Sequence, residues 1–92
     1  MIKYQIERTT KFKREYRLAK RRGKKINELH KVIFLLADGE ELPPEYKDHP
    51  LSGEYSDCRE CHIEPDWLLI YQIAENELVL LLLRTGSHSD LF

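Results

Sequence analysis

The chain contains few of the residues that mark secreted, membrane-spanning or metal-cluster proteins. Its 92 residues include two cysteines, four glycines, four prolines and one methionine. The longest apolar run, residues 78–83, is far shorter than the roughly 20 residues that cross a bilayer. The first ten residues lack the apolar segment of a signal peptide. We therefore expect a cytoplasmic protein with reduced thiols and no membrane association.

Several motifs of common enzyme classes are also missing. The sequence has no glycine-rich phosphate loop, no nucleophile elbow and no pair of carboxylates with metal-binding spacing. A chain of this length is expected to form a single domain over residues 1–92.

Charge is divided unevenly along the chain. Residues 1–31 carry a net charge of +9 and residues 32–92 a net charge of −10, which together give the overall −1. A basic segment of this density is typical of a surface that binds a phosphate backbone or an acidic protein. A solvated helix face is the simpler alternative.

Hydrophobic periodicity predicts an α+β fold. Residues 2–8 alternate as a half-buried strand, and two helices follow, ending near Gly23 and Gly39. A loop rich in proline spans residues 40–57. Three strands are predicted near residues 57–63, 67–73 and 78–85, with connectors short enough for antiparallel hairpins. The expected architecture is β-α-α-β-β-β, a helical hairpin packed on a mostly antiparallel four-stranded sheet.

The stretch Cys58-Arg-Glu-Cys61-His62 has the letter pattern of covalent c-type haem attachment. Two cysteines three positions apart on a strand point to opposite faces, so they are not expected to bind one haem or one zinc ion together. The only methionine is Met1, which leaves no internal methionine as an axial ligand. We therefore expect neither haem nor zinc at this motif, and no cofactor or metal ion for the protein.

Three of the four histidines lie at predicted strand ends or in loops of the C-terminal half: His49, His62 and His88. With Asp66 and Arg84 they are expected to meet at one rim of the sheet. Such a set suits metal-free cleavage of RNA by its own 2′-hydroxyl, because histidine serves as acid or base near neutral pH and arginine binds phosphate. Trp67 and Phe92 are candidates for stacking on a base. The alternative is that the histidines are scattered polar residues and the two aromatics are core residues.

Three blocks of sequence resemble the RelE superfamily of bacterial toxins, and within it the YafQ type. They are "YKDHPLSGEY", "HIEPDWLLIYQI" and "RTGSHSDLF", in that order, and the similarity extends over the whole chain. The resemblance implies a toxin of a type II toxin-antitoxin system that cleaves mRNA in the A site of the 70S ribosome. It also implies inactivation by a cognate antitoxin, with operator DNA bound only indirectly through the toxin-antitoxin complex.

The resemblance also implies roles for individual residues. Arg84 would contact the scissile phosphate and His88 would act as general acid. The general base would be His49, His62 or Asp66. Trp67 and Phe92 would bind substrate, and the basic face of the first helix would bind ribosomal RNA through Lys11, Lys13, Arg14, Arg17, Lys20 and Arg21.

Two other functions remain open for this fold. One is a toxin that binds a protein target, as in the gyrase-inhibiting branch of the superfamily, which lacks the His/Asp/His set. The other is a regulatory module in which catalysis has lapsed and only the toxin-antitoxin complex acts, on operator DNA.

Overall fold

The computed structural model describes residues 2–92 and has an α+β architecture. The helices and strands in chain order are β1 (Gln5–Arg8), α1 (Thr10–Arg21), α2 (Ile26–Ala37), β2 (His49–Pro50), β3 (Arg59–Glu64), β4 (Trp67–Ala74), β5 (Val79–Gly86) and α3 (His88–Leu91). The strands form one sheet in the order β1-β5-β4-β3-β2. The β1–β5 pair is parallel and the other pairs are antiparallel.

The two long helices end close to the glycines that the sequence predicts. The Thr9 side chain caps α1 by accepting a hydrogen bond of 3.0 Å from the Phe12 backbone N–H. Gly23 and Gly39 follow the two helices with φ of +77° and +78°, a left-handed conformation that glycine adopts without steric cost. The predicted helical hairpin is confirmed.

The sheet separates two hydrophobic clusters. On one face, α1 and α2 pack through Phe12 and Leu29 against Cys61, Trp67 and Leu69. On the other face a smaller cluster contains Cys58, Leu68, Ile70 and Leu91, so that α3 and the loop before β3 cover this side. The functional residues described below gather beside this smaller cluster.

The prediction of four strands misses one. β2 lies inside the segment predicted as a loop, and its two residues pair with β3 at His49–Glu60 and Pro50–Arg59. A two-residue strand gives no periodic signal, and a proline usually argues against a strand except at a sheet edge, where β2 lies. The fold class and the order of the other elements are confirmed.

The two cysteines point to opposite faces of the sheet, as the strand geometry predicts. Cys61 is completely buried among the helix-side residues, and Cys58 is buried in the smaller cluster. Burial raises the pKa of both thiols, most strongly that of Cys61. Because the thiolate is the form that attacks or ligates, these are inert structural residues. Within residues 2–92 no helix is long and apolar enough to cross a membrane.

Candidate active site

Three histidine rings form a row across the ends of β2, β3 and α3. The ring centroids of His49 and His62 are 6.1 Å apart, and those of His62 and His88 are 5.8 Å apart. The fourth histidine, His30, lies elsewhere, where its Nε2 is 2.7 Å from the Tyr16 hydroxyl. The predicted convergence of the three C-terminal histidines is therefore present in the structure.

Strand geometry explains how His49 and His62 meet. His62 and Glu60 are two positions apart on β3, so both point away from the face that carries Cys61. The β2–β3 register sets His49 directly opposite Glu60. Nε2 of His49 lies 3.1 Å from Oε2 of Glu60, and Nε2 of His62 lies 4.0 Å from the same oxygen.

Glu60, which the sequence did not single out, lies between His49 and His62. It is only 4% exposed, and its Oε1 has no hydrogen-bond partner among the described residues. A buried carboxylate is costly unless it is paired, so its position between two histidines points to a role in their chemistry. One feature of the sequence could have identified Glu60. It lies two residues before His62 on the same predicted strand, so the two side chains share one face of the sheet.

His88 is oriented by Asp66. Oδ1 of Asp66 accepts a hydrogen bond of 3.0 Å from the His88 backbone N–H and lies 3.0 Å from Nδ1 of the ring. These contacts, with the backbone hydrogen bond the larger cause, lower the pKa of the Asp66 carboxyl. Since Nδ1 faces the carboxylate, Nε2 is the nitrogen left for exchange with a substrate.

Asp48 anchors the loop that carries His49. The Tyr71 hydroxyl donates a hydrogen bond of 2.6 Å to Oδ1 of Asp48, and Nε of Arg59 lies 3.3 Å from both carboxylate oxygens. Burial, and then this hydrogen bond, raise the pKa of Tyr71. Asp48 therefore ties the loop that carries His49 to β3 and β4.

The Arg84 guanidinium is held by contacts with Glu15 and Tyr55 in this structure. Its Nη2 lies 2.6 Å from Oε2 of Glu15, its Nε contacts both oxygens of the same carboxylate at 3.1 Å, and its Nη1 donates to the Tyr55 hydroxyl at 3.3 Å. The Glu15 hydrogen bond is the main cause that raises the pKa of the guanidinium. Glu15 and Tyr55 thus hold the Arg84 guanidinium, and its contact with phosphate remains a prediction.

The prediction that Trp67 stacks on a base is contradicted by its burial. The ring is 1% exposed and belongs to the helix-side core. Its Nε1 donates a hydrogen bond of 3.0 Å to the Thr85 hydroxyl, which donates in turn to the Leu68 carbonyl at 2.7 Å. Trp67 is thus a core residue, as the simpler alternative proposed. The sequence could not distinguish a core role from stacking on a base, because an aromatic residue at the start of a strand suits either role.

Phe92 differs from Trp67 because it is 62% exposed. Its ring centroid lies 6.4 Å from that of His88 and 6.2 Å from that of Tyr55, edge to face with the latter. An exposed aromatic ring beside the histidine row is placed to stack on a nucleotide base. Tyr55 connects this ring to Arg84 and was not anticipated from the sequence.

The C-terminal end of α1 lies close to α3. Arg22, just after the helix, is 3.4 Å from Asp90 of α3. A cleft of 460 Å³ between α1 and the turn at Asp66 is lined by Arg22, Lys24 and Asp66, among others. All six residues predicted to bind ribosomal RNA are exposed, namely Lys11, Lys13, Arg14, Arg17, Lys20 and Arg21.

Comparison with known proteins agrees with this geometry. Residues 4–92 match the family model for YafQ, a bacterial toxin of type II toxin-antitoxin systems. The mRNA interferase toxin YafQ of Escherichia coli K12 is 40% identical over 93 aligned positions, covering 100% of this chain and 99% of the relative.

Two solved structures are also similar. The Escherichia coli DinJ-YafQ toxin-antitoxin complex matches with a TM-score of 0.90 and 39% identity, covering 99% of each chain. A metal-bound toxin from Helicobacter pylori matches with a TM-score of 0.91 and 46% identity, covering all of both chains. The resemblance found in the three sequence blocks is confirmed, and so is the assignment as an mRNA interferase toxin. The chain belongs to the YafQ family of toxins of type II toxin-antitoxin systems.

Proposed function

We propose that this toxin is a ribosome-dependent endoribonuclease that cleaves mRNA in the A site through attack by the 2′-hydroxyl on the adjacent phosphate. It acts in the cytoplasm and is held inactive by a cognate antitoxin, as the DinJ-YafQ complex of its relative suggests. The observation that carries the proposal is the row of His49, His62 and His88 with two carboxylates beside it, Glu60 between His49 and His62 and Asp66 at His88.

One end of the row supplies the general acid. In its charged form, His88 carries protons on both ring nitrogens, with Nδ1–H donated to Asp66 and Nε2–H available to the departing 5′-oxygen. A carboxylate beside the ring stabilises the imidazolium. His88 is exposed enough to meet a phosphodiester, with a side-chain exposure of 55%.

The other end supplies the general base. Asp66 is occupied by two contacts from His88, so the base is drawn from the cluster of His49, Glu60 and His62. Deprotonation of the 2′-hydroxyl by this cluster gives the oxygen that attacks phosphorus, and a 2′,3′-cyclic phosphate forms as the 5′-oxygen leaves. Each proton transfer of this kind contributes about 10²–10⁴-fold, so the remaining acceleration comes from positioning on the ribosome.

Binding to the ribosome rests on the exposed cations of α1. Exposed Lys and Arg side chains release counterions from an RNA backbone, and this favours association. The acidic residues that follow residue 31 are expected to face away from the ribosomal RNA. The two alternatives for this fold, a gyrase inhibitor or a lapsed regulatory module, have no use for an aligned acid and base.

The test is cleavage of a defined message on programmed 70S ribosomes, with mapping of the new ends. We expect cuts at a fixed position within A-site codons that leave 2′,3′-cyclic phosphate, and no such cuts in the same message without ribosomes. Intact message in the presence of ribosomes would refute the proposal. Inhibition of DNA gyrase with intact message would favour the gyrase-binding alternative.

A further inference from the structure

Glu15 is the only acidic residue of α1, and its surroundings differ from those of the cations on the same helix. Its side chain is 16% exposed, whereas the six cations predicted to bind ribosomal RNA are all exposed. Withdrawing a carboxylate from water is costly unless hydrogen-bonding partners replace the water. The partners of Glu15 therefore indicate what this residue does.

The partners of Glu15 lie on β5, beyond the point where β1 ends. The last pair between these two strands joins Arg8 to Leu82. Further along β5, the Thr85 backbone N–H donates a hydrogen bond of 3.2 Å to Oε1 of Glu15. The same carboxylate accepts from Nε of Arg84 at 3.1 Å and from Nη2 at 2.6 Å. Glu15 thus takes the place of a neighbouring strand and fixes the end of β5 together with the Arg84 side chain.

The Arg84 side chain leaves the sheet on the face that carries the histidine row. Arg84 pairs with Ile70 on β4, and Ile70 pairs in turn with Glu60 on β3. Paired residues on neighbouring strands point to the same face, and Ile70 belongs to the smaller cluster on that face. Nη1 of Arg84 donates to the Tyr55 hydroxyl, and the Tyr55 ring is edge to face with Phe92. The guanidinium is therefore connected to α1 on one side and to the candidate substrate site on the other.

Glu15 occupies only one of the two N–H edges of the guanidinium. One edge consists of Nε–H and one N–H of Nη2, and the other consists of the second N–H of Nη2 and an N–H of Nη1. Glu15 accepts from the first edge. Within residues 2–92 the only other acceptor is the Tyr55 hydroxyl, at Nη1. Nη1 and Nη2 each keep one further N–H, and such a planar pair of donors fits two oxygens of a phosphate.

We propose that Glu15 is a positioning residue for cleavage, which holds Arg84 so that the Nη1–Nη2 edge of its guanidinium meets the scissile phosphate. The proposal rests on the nuclease function proposed above, and Glu15 itself does not touch the substrate. A misplacement of about 1 Å can cost about 10²-fold in rate, so loss of the carboxylate slows the chemical step. The opposite role, in which Glu15 withholds Arg84 from the substrate, predicts faster cleavage when the carboxylate is removed.

Single-turnover cleavage on programmed ribosomes, at increasing toxin concentration, distinguishes these roles. At saturating toxin, Glu15→Gln should cleave about ten- to hundredfold more slowly than the wild type. The half-saturating concentration should not rise, because removing a negative charge from α1 favours binding to RNA. Glu15→Asp, which keeps the charge, should recover part of the rate. Cleavage by Glu15→Gln at the wild-type rate or faster would overturn the proposal.

Glu75→Gln is the matched control. Oε1 of Glu75 accepts a hydrogen bond of 2.6 Å from the Tyr4 hydroxyl, and Glu75 lies between β4 and β5, at the opposite end of β5 from Arg84. This variant should cleave at the wild-type rate. An equal loss of cleavage in Glu15→Gln and Glu75→Gln would overturn a specific role for Glu15.

A sulfur substitution in the message distinguishes a role exerted through Arg84 from a general loss of structure. Sulfur in place of a non-bridging oxygen of the scissile phosphate accepts hydrogen bonds poorly, so it weakens the guanidinium contact in the wild type as well. With sulfur at the contacted position, Glu15→Gln should therefore slow cleavage by a smaller factor than on the ordinary message. An equal factor on the ordinary message and on both phosphorothioate diastereomers would contradict the proposal.

A measurement without ribosomes separates this inference from the nuclease function. Nitrogen-15 NMR of the full-length protein follows the Arg84 Nε–H signal while adenosine 3′-monophosphate is added. In the wild type we expect slow exchange of this hydrogen with water and a shift of the signal with the nucleotide. Glu15→Gln should exchange faster and bind the nucleotide about tenfold more weakly.

No shift in the wild type, or equal nucleotide binding by the two proteins, would overturn the orientation of Arg84 by Glu15. The expected NMR result, combined with intact message on ribosomes with the wild type, would instead contradict the proposed nuclease function. The orientation of Arg84 toward a phosphate would then still be supported.

Discussion

Asp66 holds His88 at two points, because the same carboxylate oxygen is 3.0 Å from the backbone N–H and 3.0 Å from Nδ1 of the ring. The backbone contact fixes the start of α3, and the ring contact fixes which nitrogen remains available. Ser87 and Asp90 form a capping box that also sets this short helix. The orientation of the proposed general acid is therefore determined by its neighbours on both sides.

His88→Ala is expected to abolish cleavage on the ribosome while the protein stays folded and still binds its antitoxin. Loss of a general acid costs about 10²–10⁴-fold in rate, and the side chain is exposed, so little packing is lost. Single-turnover cleavage and thermal unfolding measure the two effects. A variant that cleaves at the wild-type rate would mean that another group donates the proton.

The contacts between Asp66 and His88 can be tested through the lowered pKa of the Asp66 carboxyl. Its largest cause is the His88 backbone N–H, which His88→Ala retains. Carboxyl NMR titration should therefore find the Asp66 pKa below the ordinary value of about 3.9 in both proteins, and lower in the wild type. Because the folded pKa is lowered, this contribution to stability is present at higher pH and is lost as pH falls through the folded pKa. An ordinary pKa in the wild type would contradict the observed contacts.

The sequence predicts the positions of the candidate site residues when strand direction and hairpin length alone determine where their side chains lie. Strand alternation and short hairpins were enough to bring His62, Asp66 and His88 to one rim. Glu60 and Asp48 were missed because their importance comes from burial and from the pairing of β2, a two-residue strand with no periodic signal. Trp67 was misassigned because a strand-end aromatic has the same pattern whether its ring is buried or exposed.

Tyr71→Phe tests whether the Asp48 anchor positions His49. Removal of the hydroxyl leaves Asp48 without its 2.6 Å hydrogen bond and should cost about 1–3 kcal/mol of unfolding free energy. Tyr16→Phe is the matched control, since its hydroxyl is bonded to His30 away from the site. Chemical denaturation should show a loss of stability in both variants. Only Tyr71→Phe should slow cleavage, and equal cleavage by the two would show that the anchor is purely structural.

The pair formed by Glu15 and Arg84 should be strongly coupled. Their side chains are 16% and 18% exposed and make a bidentate contact, so solvent screens them only partly. A double-mutant cycle of Glu15→Gln and Arg84→Gln, followed by chemical denaturation, should give a coupling energy of about 0.5–3 kcal/mol. The exposed residue Glu7 provides a control, because Glu7→Gln should show no coupling to Arg84→Gln. Additive effects of the first two substitutions would mean that Arg84 does not depend on Glu15.

Two exposed phenylalanines, Phe92 and Phe34, allow an effect on substrate binding to be distinguished from an effect on stability. They are 62% and 56% exposed, and only Phe92 lies beside His88. Substitution of either by alanine should change the unfolding free energy by about 0.5 kcal/mol or less. Stacking on a base is worth about 1–3 kcal/mol, so Phe92→Ala should weaken cleavage on the ribosome by about 10- to 100-fold, and Phe92→Trp should retain most of it. Phe34→Ala should cleave at the wild-type rate. The two alanine variants should be equally stable, so any difference in cleavage reports on substrate binding. Equal cleavage by both would show that Phe92 does not bind substrate and takes no part in the reaction.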